Sequence, residues 1–417
     1  MHENFPAQFG GIARFLAQEG WQVVFATASD AIAPGGFRDG VLPGVKVVRY
    51  KRRRDAGVQT HHYLRGTERA ILNGQGFARL AGILRSQGFV ADVVVSHSGW
   101  GSGSFAKSIW PKARSVQYLE WWYNFPAPDL EPTDQPRAPE EEQAKALARN
   151  LPFLLDAQTA DVIQVPTEFQ AAQIPEWLKG RVHVIHDGVD GTTFRPQAPH
   201  EEGFQTAGLP DRARIITYAT RGMEPMRGFP QFMAEWNRLQ RLWPDVYCVV
   251  AGTDRVSYGR KLPKGESFKA RALAEYDIDE TRCHFVGHLR KADYARLLQR
   301  SAAHVYLSRP FVVSWSLIEA MMTAAPIVTS KGQNVREVAP EGTAIFADMD
   351  DIGEIVAGVS QHLSDPTAAK ALGLAARRHA KEIYAADKLH PRIKDLYQSL
   401  LPAERSTEHK KTALEGG

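Results

Sequence analysis

The stretch SRPFVVSWSLIEAMMTAAPIVTS, residues 308–330, passes from a serine-rich turn into a helix and then into an apolar strand. The apolar strand AHVYLS leads into it, and this strand–helix–strand order is typical of a parallel sheet. We expect Glu319 to lie in the first helical turn, beside unpaired backbone N–H groups and the positive end of the helix dipole. Such a helix end suits a ligand with both a diol and a phosphate. Alternatively, Glu319 only complements the dipole.

A basic turn earlier in the chain adds to this pattern. YATRGMEPMRGF, residues 218–229, places Arg221 and Arg227 directly after an apolar strand, at the edge where parallel sheets receive ligands. Because the planar fork of a guanidinium can hold two phosphate oxygens, two such cations suit a diphosphate. A solvated basic face is the alternative.

Short apolar strands alternate with amphipathic helices along the whole chain. This indicates an α/β fold of two doubly wound Rossmann-like domains. A length of 417 residues, with 43% hydrophobic and 24% charged residues, is ordinary for a soluble protein of two domains. With Cys248 and Cys283 as its two cysteines, the composition provides no disulfide framework. The predicted strands are QVVFATA, VKVVRY, ADVVVSH, RSVQYLE, DVIQVPT, VHVIHDG, RIITYAT, YCVVAG, HFVGHL, AHVYLS, APIVTS and TAIFA.

Six short motifs occur in order along the chain. They are NFPAQF (4–9), HSGWG (97–101), Arg149-Asn150, HDGVD (186–190), RGMEPMRGF (221–229) and SLIEAM (316–321). Together they resemble the motifs of the retaining glycosyltransferases of the GT-B fold, family 4, most closely a bacterial polysaccharide-type branch. The resemblance extends to about residue 390 and implies two domains that face each other across a cleft.

Composition and resemblance together set the expected domain boundaries. We predict an N-terminal, acceptor-side domain at 1–196 and a C-terminal domain that binds the nucleotide sugar at 205–385. The segment between them is rich in Pro, Gly and charge, as linkers are. By resemblance, a helix at 386–401 crosses back to the first domain, and 402–417 looks like a mobile tail.

The resemblance implies a role for each matched position. Arg221 and Arg227 match the basic pair that grips the donor diphosphate, and with His97 they form the predicted catalytic set. Glu319 matches the residue that binds the nucleotide ribose. From the residues themselves, ADVVVSHSGWG is a strand that runs into a small-residue loop, so His97 lies at a strand's carboxyl end. A structural histidine is the alternative there.

The donor segment departs from the family at Phe311. Many members have two Glu residues separated by seven others, and Phe311 stands where the first one touches the donor sugar. Backbone N–H groups around Ser314 and Ser316 are left to hold the sugar, while Phe311 excludes water or packs on a ring face. The predicted donor-binding residues are Glu319, Ser314, Ser316, Leu317, Ile318 and Phe311.

The first domain supplies candidates for the acceptor side or the cleft. The N-terminal loop has Ala7 where the family usually has Gly, although Gly10 and Gly11 follow; either of these can instead serve helix packing. Asp187 lies in HDGVD. Glu120 precedes a run of three aromatic residues and is expected to line a groove in which rings stack on sugars, or to be an ordinary strand end.

A pair of acidic residues raises the question of a metal. Asp348 and Asp350 superficially resemble the Asp-x-Asp pair that holds a divalent ion in another large class of sugar transferases. They come after both nucleotide-site elements, so we expect them to cap the helix that begins DIGEIV. With Arg221 and Arg227 balancing the diphosphate, we predict that no metal or other cofactor is needed.

Charge and hydropathy indicate partners and location. A formal net charge of +4 is too mild to argue for nucleic acid. The run KRRR, residues 51–54, and the basic and apolar segment after it suit an anionic membrane surface or a lipid-linked acceptor, or form a solvated face. We find neither a signal peptide nor an apolar stretch that spans a bilayer, and expect a cytoplasmic protein with access to the inner face of the cytoplasmic membrane.

The first residues are unusual for the resembled family. Its members open with an apolar strand immediately before the NFPxQF loop, whereas this sequence opens with MHE. Because the first strand of a doubly wound sheet is usually internal, we expect the native translation start to lie upstream.

These features predict an enzyme that moves a sugar from a nucleotide diphosphate sugar to a glycan or lipid-linked acceptor. Retention at the anomeric carbon and a role in bacterial surface or exopolysaccharide biosynthesis follow from the resemblance. Two alternatives keep the donor site. A hydrolase or epimerase of the same fold needs no acceptor, and a non-catalytic nucleotide-sugar binder, suggested by Phe311 and Ala7, shows no turnover.

Overall fold

The computed structural model of this protein describes residues 1–30, 42–128, 139–259 and 261–402. They form two compact units, each built from parallel strands and helices, which confirms the predicted α/β class. The first unit takes in Met1–Ala127, residues 139–188 and the chain from Ala386. The second is formed by Val189–Ala385.

The first unit contains, among its described residues, a two-stranded and a four-stranded sheet, both parallel. Within each sheet the carboxyl ends of the strands therefore share one edge. The smaller sheet pairs β1 (Val23–Thr27) with β2 (Val45–Arg49), and the larger has the order β3 (Val93–His97), β4 (Arg114–Tyr118), β5 (Val162–Val165) and β6 (Val182–Val184). The helices described up to residue 188 are α1 (Gly10–Gln18), α2 (Arg65–Ser86), α3 (Ala106–Ile109), α4 (Pro139–Arg149), α5 (Leu151–Thr159), α6 (Glu168–Ala172) and α7 (Glu176–Lys179).

The first two residues lie between these sheets. The Met1 carbonyl accepts a hydrogen bond from His97 N (3.2 Å), and His2 N donates to the Ala26 carbonyl (3.2 Å). Next to them, apolar side chains of β1, β3 and α1 line a cavity of about 140 Å³. At this point Met1 and His2 bridge β1 and β3, which do not pair directly in the described chain.

The second unit contains a parallel sheet of six strands in the part of the chain that is described. The strands are β7 (Arg214–Gly222), β8 (Val246–Thr253), β9 (Cys283–Gly287), β10 (Ser301–Tyr306), β11 (Ile327–Ser330) and β12 (Ile345–Ala347). Their spatial order is β12-β11-β10-β7-β8-β9. The strand order therefore reverses between β7 and β10, and such a switch point is where open parallel sheets bind ligands.

Both faces of this sheet are buried. Neighbouring residues of a strand point to opposite faces, and β7 is apolar on both. Ile216 packs in the cluster that contains Trp236, whereas Ile215 packs in the cluster that contains Leu297. The described helices of this unit are α8 (Phe229–Leu242), α9 (Phe268–Glu275), α10 (Lys291–Gln299), α11 (Trp315–Met322), α12 (Gln333–Val338), α13 (Ile352–Ser364) and α14 (Pro366–Ile383).

The helix α15 (Ala386–Ser399) returns to the first unit. Ile393 and Tyr397 lie in the core that contains Phe25 of β1. The Tyr397 hydroxyl also donates to Gln164 Oε1 on β5 (3.2 Å). The end of the chain thus completes the core of the first unit, at the place predicted for a crossing helix.

The boundary between the units lies earlier than we predicted. We expected the first domain to extend to residue 196, but Val189 N donates to the Tyr384 carbonyl (2.8 Å) in the second unit. Phe194 packs against Tyr294 of α10, with ring centroids 5.9 Å apart. Residues 189–196 belong to the second unit because their apolar side chains are buried in its core.

All twelve predicted strands are present among the described residues, with ends that differ by a few positions. The predicted mobile tail spans residues 402–417, and its residues after 402 lie outside the described part of the chain. Within them, no helix has both the length and the apolar character needed to cross a lipid bilayer.

Candidate functional site

The loops that follow β7 and β10 meet at the switch point of the second unit. Arg227, in the turn after β7, is 7% exposed. Its Nη1 donates to Ser308 Oγ (2.8 Å) and to the Tyr306 hydroxyl (3.4 Å), and its Nη2 donates to the Val312 carbonyl (2.9 Å). The end of β10 and the loop after it therefore hold this guanidinium in place.

Tyr306 connects Arg227 to the helix that carries Glu319. Its hydroxyl oxygen also accepts a hydrogen bond from Ser314 N (2.9 Å). Ser314 is the N-cap of α11, where its Oγ accepts hydrogen bonds from the N–H (3.3 Å) and the hydroxyl (3.0 Å) of Ser316. The basic turn and the start of α11, predicted from separate motifs, thus belong to one hydrogen-bonded network.

Glu319 lies in the second turn of α11, and our expectation of the first turn is wrong. The helix begins at Trp315, so Glu319 is its fifth residue and Ser314 has the capping role. Glu319 is 8% exposed, and burial raises the pKa of its carboxyl to about 7, against the opposing effect of the Lys291 ammonium. An ionised carboxyl in such a place needs hydrogen-bond donors, which the two hydroxyls of a diol provide.

The two residues before Glu319 do not present their side chains to a ligand. Leu317 and Ile318 are 0% exposed and lie in the apolar core of the second unit. Their predicted role in donor binding is therefore wrong for the side chains, because these form the apolar face of α11 and anchor the helix.

Arg221 and Arg227 are close in sequence but lie in different surroundings. Arg221 is the last residue but one of β7 and is exposed. Its carbonyl accepts a hydrogen bond from the Thr253 hydroxyl (2.7 Å). Among the described residues, neighbouring side chains hold the guanidinium of Arg227 through hydrogen bonds.

Phe311 lies in the loop after β10, where its ring packs edge to face on Tyr258 with centroids 5.5 Å apart. Its carbonyl accepts a hydrogen bond from Asn334 Nδ2 (3.0 Å). Tyr258 in turn covers Arg227, whose Cζ lies 5.4 Å from the ring centroid. An aromatic pair therefore lies beside the buried guanidinium.

Four residues of this site were not predicted: Glu224, Tyr258, Tyr306 and Ser308. Glu224 is 0% exposed, and burial raises the pKa of its carboxyl. A charged residue between two arginines in RGMEPMRGF was a usable signal for Glu224. The sequence contains no such signal for Tyr258, because this residue follows β8 in a loop without a recognisable pattern.

In the first unit, His97 is the last residue of β3 and is 6% exposed. Its Nδ1 lies 2.9 Å from the Ser98 carbonyl, and its Nε2 lies 3.2 Å from Glu120 Oε2. A carbonyl only accepts, so the contact of Nδ1 with Ser98 is a donation from the ring, and Nε2 faces the carboxyl group of Glu120. Gln8 donates to the other Glu120 oxygen.

The residues after Glu120 do not form the predicted aromatic groove. Trp121 and Trp122 are only 5% and 8% exposed, because a strand end that enters the core buries its large apolar side chains. Tyr123 is half-buried, and its ring faces Arg149, whose Cζ is 5.1 Å from the ring centroid. Glu120 itself is held in place by its contact with His97.

Asp187 follows β6 and is 6% exposed. The Tyr118 hydroxyl donates to its Oδ1 (2.8 Å), while Oδ2 has no hydrogen-bond partner among the described residues. The rings of Tyr118 and His97 are 5.5 Å apart. The ends of β3 and β4 and the loop after β6 thus bring His97, Glu120 and Asp187 to one edge of the sheet.

Gly10 and Gly11 are explained by packing. A Cβ on Gly10 would lie 2.7 Å from Pro6 Cβ, and one on Gly11 would lie 3.1 Å from His390 Cε1 of α15. Ala7 has a φ of +44°, in the left-handed region that favours glycine. The N-terminal loop thus has the conformation of a glycine at a position occupied by alanine.

Comparison with known families agrees with this geometry. Residues 19–194 match the model described as "Glycosyl transferase family 4 group", and residues 200–379 match "Glycosyl transferases group 1". The chain belongs to glycosyltransferase family 4.

Two curated relatives of this family 4 member are named mannosyltransferases. An MMP α-(1→4)-mannosyltransferase from Mycolicibacterium hassiacum is 29% identical over 58% of this chain and 53% of its own length. The lipopolysaccharide core biosynthesis mannosyltransferase LpcC from Rhizobium leguminosarum is 26% identical over 54% of this chain and 61% of its own. The alignments thus span little more than half of each curated relative.

Solved structures show the fold of this family 4 member. Sucrose-phosphate synthase from Thermosynechococcus elongatus matches with a TM-score of 0.70 at 17% identity, over 93% of this chain and 91% of that one. HepE from Anabaena, in complex with UDP and glucose, matches with a TM-score of 0.64 at 14% identity, over 94% and 95%. The predicted GT-B fold of two Rossmann-like domains is confirmed.

The acidic residues after β12 have structural roles other than those we predicted. Asp351 caps α13, with its Oδ1 accepting from Gly353 N (2.8 Å). Asp350 instead binds Arg309 through two hydrogen bonds (2.6 and 2.7 Å), which lower the pKa of its carboxyl. Asp348 Oδ1 accepts from Asp350 N (2.9 Å), so it orders the turn before the helix. The expectation that Asp348 and Asp350 cap the helix is wrong.

The positive charge of the basic run at 51–54 is partly neutralised by acidic residues of the first unit. Arg52 pairs with Glu3 (2.9 Å), and Arg54 pairs with Glu68 (2.6 Å). Two of its four positive charges are therefore balanced by nearby carboxylates, which weakens the field that the run presents to an anionic partner.

Proposed function

We propose that this protein transfers a glycosyl group from a nucleotide diphosphate sugar to a glycan or lipid-linked acceptor, with retention at the anomeric carbon, in bacterial surface or exopolysaccharide assembly. One observation carries the proposal. Arg227 is buried, held by the end of β10 and the loop after it, and joined through Tyr306 to the start of the helix that bears Glu319. A fixed cation and a buried acid in one unit match the diphosphate and the ribose of a single ligand.

In the proposed reaction, the bond between the anomeric carbon and the phosphate oxygen breaks, and the acceptor oxygen forms a new bond to that carbon. The electron pair leaves with the diphosphate, whose charge Arg227 and Arg221 neutralise. The proton of the acceptor hydroxyl passes to the leaving phosphate oxygen on the same face of the sugar. Because Arg227 is held in place before the ligand arrives, it stabilises the growing charge without reorganisation.

The acceptor is assigned to the first unit. His97, Glu120 and Asp187 share one sheet edge there, and His97 Nε2 faces a Glu120 carboxyl oxygen at 3.2 Å. Such a pair can donate to one hydroxyl of a glycan and accept from another. This arrangement supports a role for His97 beyond packing.

The relatives guide the choice of donor. Two of them are named mannosyltransferases, and the HepE structure contains UDP and glucose. GDP-mannose and UDP-glucose are therefore the first donors to test. We propose that Arg221 and Arg227 make a divalent ion unnecessary. Turnover in EDTA is the expected result, and a loss that added Mg²⁺ restores would overturn this point.

We also propose that the protein works in the cytoplasm, with peripheral contact to the anionic inner face of the membrane through residues 51–54. Arg52 and Arg54 are paired with carboxylates, so Lys51 and Arg53 are the charges to vary. Flotation with anionic vesicles should fall when both are changed to Gln. Equal flotation of variant and wild type would end this part of the proposal.

A panel of donors tests the function as a whole. The purified protein is incubated with GDP-mannose, UDP-glucose and other nucleotide sugars, with and without a membrane extract. Transfer requires that donor consumption depends on the extract and that a glycosylated acceptor forms. Full consumption without the extract indicates a hydrolase or epimerase, and binding without consumption indicates a silent binder. Either result would overturn glycosyl transfer.

Variants of the basic turn test the observation on which the proposal rests. Arg227→Ala should lower kcat/KM by about a hundredfold or more, because a preorganised charge contact to the leaving group is lost. Arg238→Ala, which removes an exposed arginine of α8, is the matched control and should leave kcat/KM unchanged. Thermal melting of both variants separates lost chemistry from lost fold. Similar activity in a folded Arg227→Ala protein would contradict the assignment.

A further inference from the structure

Hydrogen bonds hold the loop after β8 against the turn after β7. Glu224 Oε2 accepts hydrogen bonds from Ser257 N and from Tyr258 N, the latter at 2.9 Å. A Cβ on Gly222 would lie 2.6 Å from the Arg255 carbonyl, so the two segments approach more closely than any residue with a side chain allows. A buried carboxyl group and a glycine thus set the position of Tyr258.

From this position Tyr258 contacts two residues of the candidate donor site. One ring face covers Arg227, with the guanidinium Cζ 5.4 Å from the centroid. The ring also packs edge to face on Phe311, with centroids 5.5 Å apart at an interplanar angle of 63°. Both rings are half-buried, so part of each remains accessible beside the buried guanidinium.

We propose that Tyr258 and Phe311 form an aromatic subsite that receives the apolar C–H face of the donor's pyranose ring. This inference rests on the proposed function, in which Arg227 binds the diphosphate that carries the sugar. The sugar is attached directly to that diphosphate, so rings that flank the guanidinium lie within its reach.

The chemistry of the two rings decides what they recognise. A carboxylate accepts hydrogen bonds from sugar hydroxyls, whereas a phenyl ring has no such acceptor atom. Contact between the ring and an apolar surface is favourable because both are removed from water. Phe311 therefore selects a ring face of the sugar rather than one particular hydroxyl group. The Tyr258 hydroxyl adds a polar end to an otherwise apolar wall.

Phe311 is the residue to vary, because Tyr258 also contacts Arg227 and its loss would disturb diphosphate binding. Dissociation constants are measured by calorimetry for GDP and GDP-mannose and for UDP and UDP-glucose. The proteins are the wild type, Phe311→Leu, Phe311→Glu, and Trp177→Leu, which removes a 62% exposed aromatic residue of α7 as a matched control. Thermal melting confirms that each variant is folded.

One nucleoside diphosphate and its nucleotide sugar form the pair that the wild type binds. For that pair, Phe311→Leu and Phe311→Glu should weaken the binding of the nucleotide sugar by about two- to tenfold, the range of an aromatic contact. The affinity for the nucleoside diphosphate alone should change by a smaller factor, and Trp177→Leu should change neither. Equal weakening of sugar and diphosphate, or no weakening, overturns the subsite and leaves the proposed function standing. If the wild type binds none of the four nucleotides, both proposals fail.

Discussion

At the scale of single residues, two buried carboxyl groups of the second unit are in different situations. Glu319 lies in α11 near Lys291, and burial raises its pKa to about 7. Glu235 of α8 is 0% exposed, and neither of its carboxyl oxygens has a hydrogen-bond partner among the described residues. Burial raises the pKa of Glu235 well above 4.5, which favours the neutral form of this acid. The first carboxyl is the proposed ligand of the ribose, and the second has no role in the proposed reaction.

The titration of Glu319 predicts the pH dependence of donor binding. Its folded pKa is raised from 4.5 to about 7, and a ribose diol donates to the ionised form, so binding should strengthen as the pH rises through 7. Between pH 6 and pH 8 the ionised fraction rises about tenfold, and the affinity for a nucleotide sugar should rise by about that factor. A nucleotide sugar is the better probe because its esterified phosphates stay fully ionised over this range.

Glu319→Gln is the control for this titration. Calorimetry of the variant should give weaker binding that is nearly independent of pH. A wild-type affinity that does not change between pH 6 and pH 8, or a variant with an equally steep profile, would show that Glu319 does not bind the ribose.

Replacing Glu235 should stabilise the protein. Its folded pKa is above the unfolded value, so the destabilisation that comes from its titration is absent below about pH 4.5 and grows as the pH rises toward the folded pKa. Glu235→Met removes an unsatisfied buried carboxyl at similar volume and should raise the free energy of unfolding by about 1–3 kcal/mol at pH 8, and by less at pH 5. Denaturant unfolding measures both. Glu202→Met, at an exposed position, should have little effect, and a less stable Glu235→Met protein would contradict this account.

At the scale of elements, the turn between β7 and α8 depends on Gly228. This residue has a φ of +70° and is the N-cap of α8, directly after Arg227. A Cβ on it would clash with the side chain of Leu307, the residue directly after β10. The close approach of these two segments places Arg227 next to Ser308, so one glycine supports the geometry of the candidate site.

Gly228→Ala should therefore harm both the fold and the site. Left-handed backbone strain and overpacking against Leu307 together should lower the free energy of unfolding by roughly 2–4 kcal/mol and weaken nucleotide binding. Gly180→Ala is the control, since Gly180 has a φ of −61° and a Cβ added to it would meet no neighbouring group within 4 Å. Equal stabilities of the two variants in denaturant unfolding would refute this explanation.

At the scale of the whole molecule, the first unit is assembled from both ends of the chain. Ile393 and Tyr397 of α15 are 1% and 2% exposed in a core with residues of α1 and β1. Lys394 also pairs with Glu19, just beyond α1 (2.7 Å). The second unit does not include α15, so its stability does not depend on this helix in the same way.

A cavity in α15 should loosen the first unit selectively. Ile393→Ala should cost about 2–5 kcal/mol in that unit. Hydrogen exchange followed by mass spectrometry should then be faster in peptides of α1, β1 and β3 and unchanged in peptides of β7 to β12. Lys388→Ala, at an exposed position of the same helix, should change neither. Faster exchange in both units alike would show that they do not unfold independently.

The sequence by itself determined the twelve strands, the family and the basic segment that contains Arg221 and Arg227. Strand and helix periodicity is local, and ordered motifs identify a family without knowledge of contacts, so these predictions did not require the fold. The boundary after residue 188 was missed because linker composition says nothing about which core buries Val189 and Phe194.

The tertiary structure alone decided how the site is held together. Arg227 and Ser308 are 81 residues apart, and Glu224 and Tyr258 are 34 apart, so no local pattern links them. Because β7 pairs with β10 on one side and with β8 on the other, the loops after these three strands meet and make these contacts. Burial of Leu317 and Ile318 likewise follows from packing of α11 against the rest of its unit. Side chains acquire such partners only when the sheet brings distant loops to one edge, which is a property of the fold rather than of any segment.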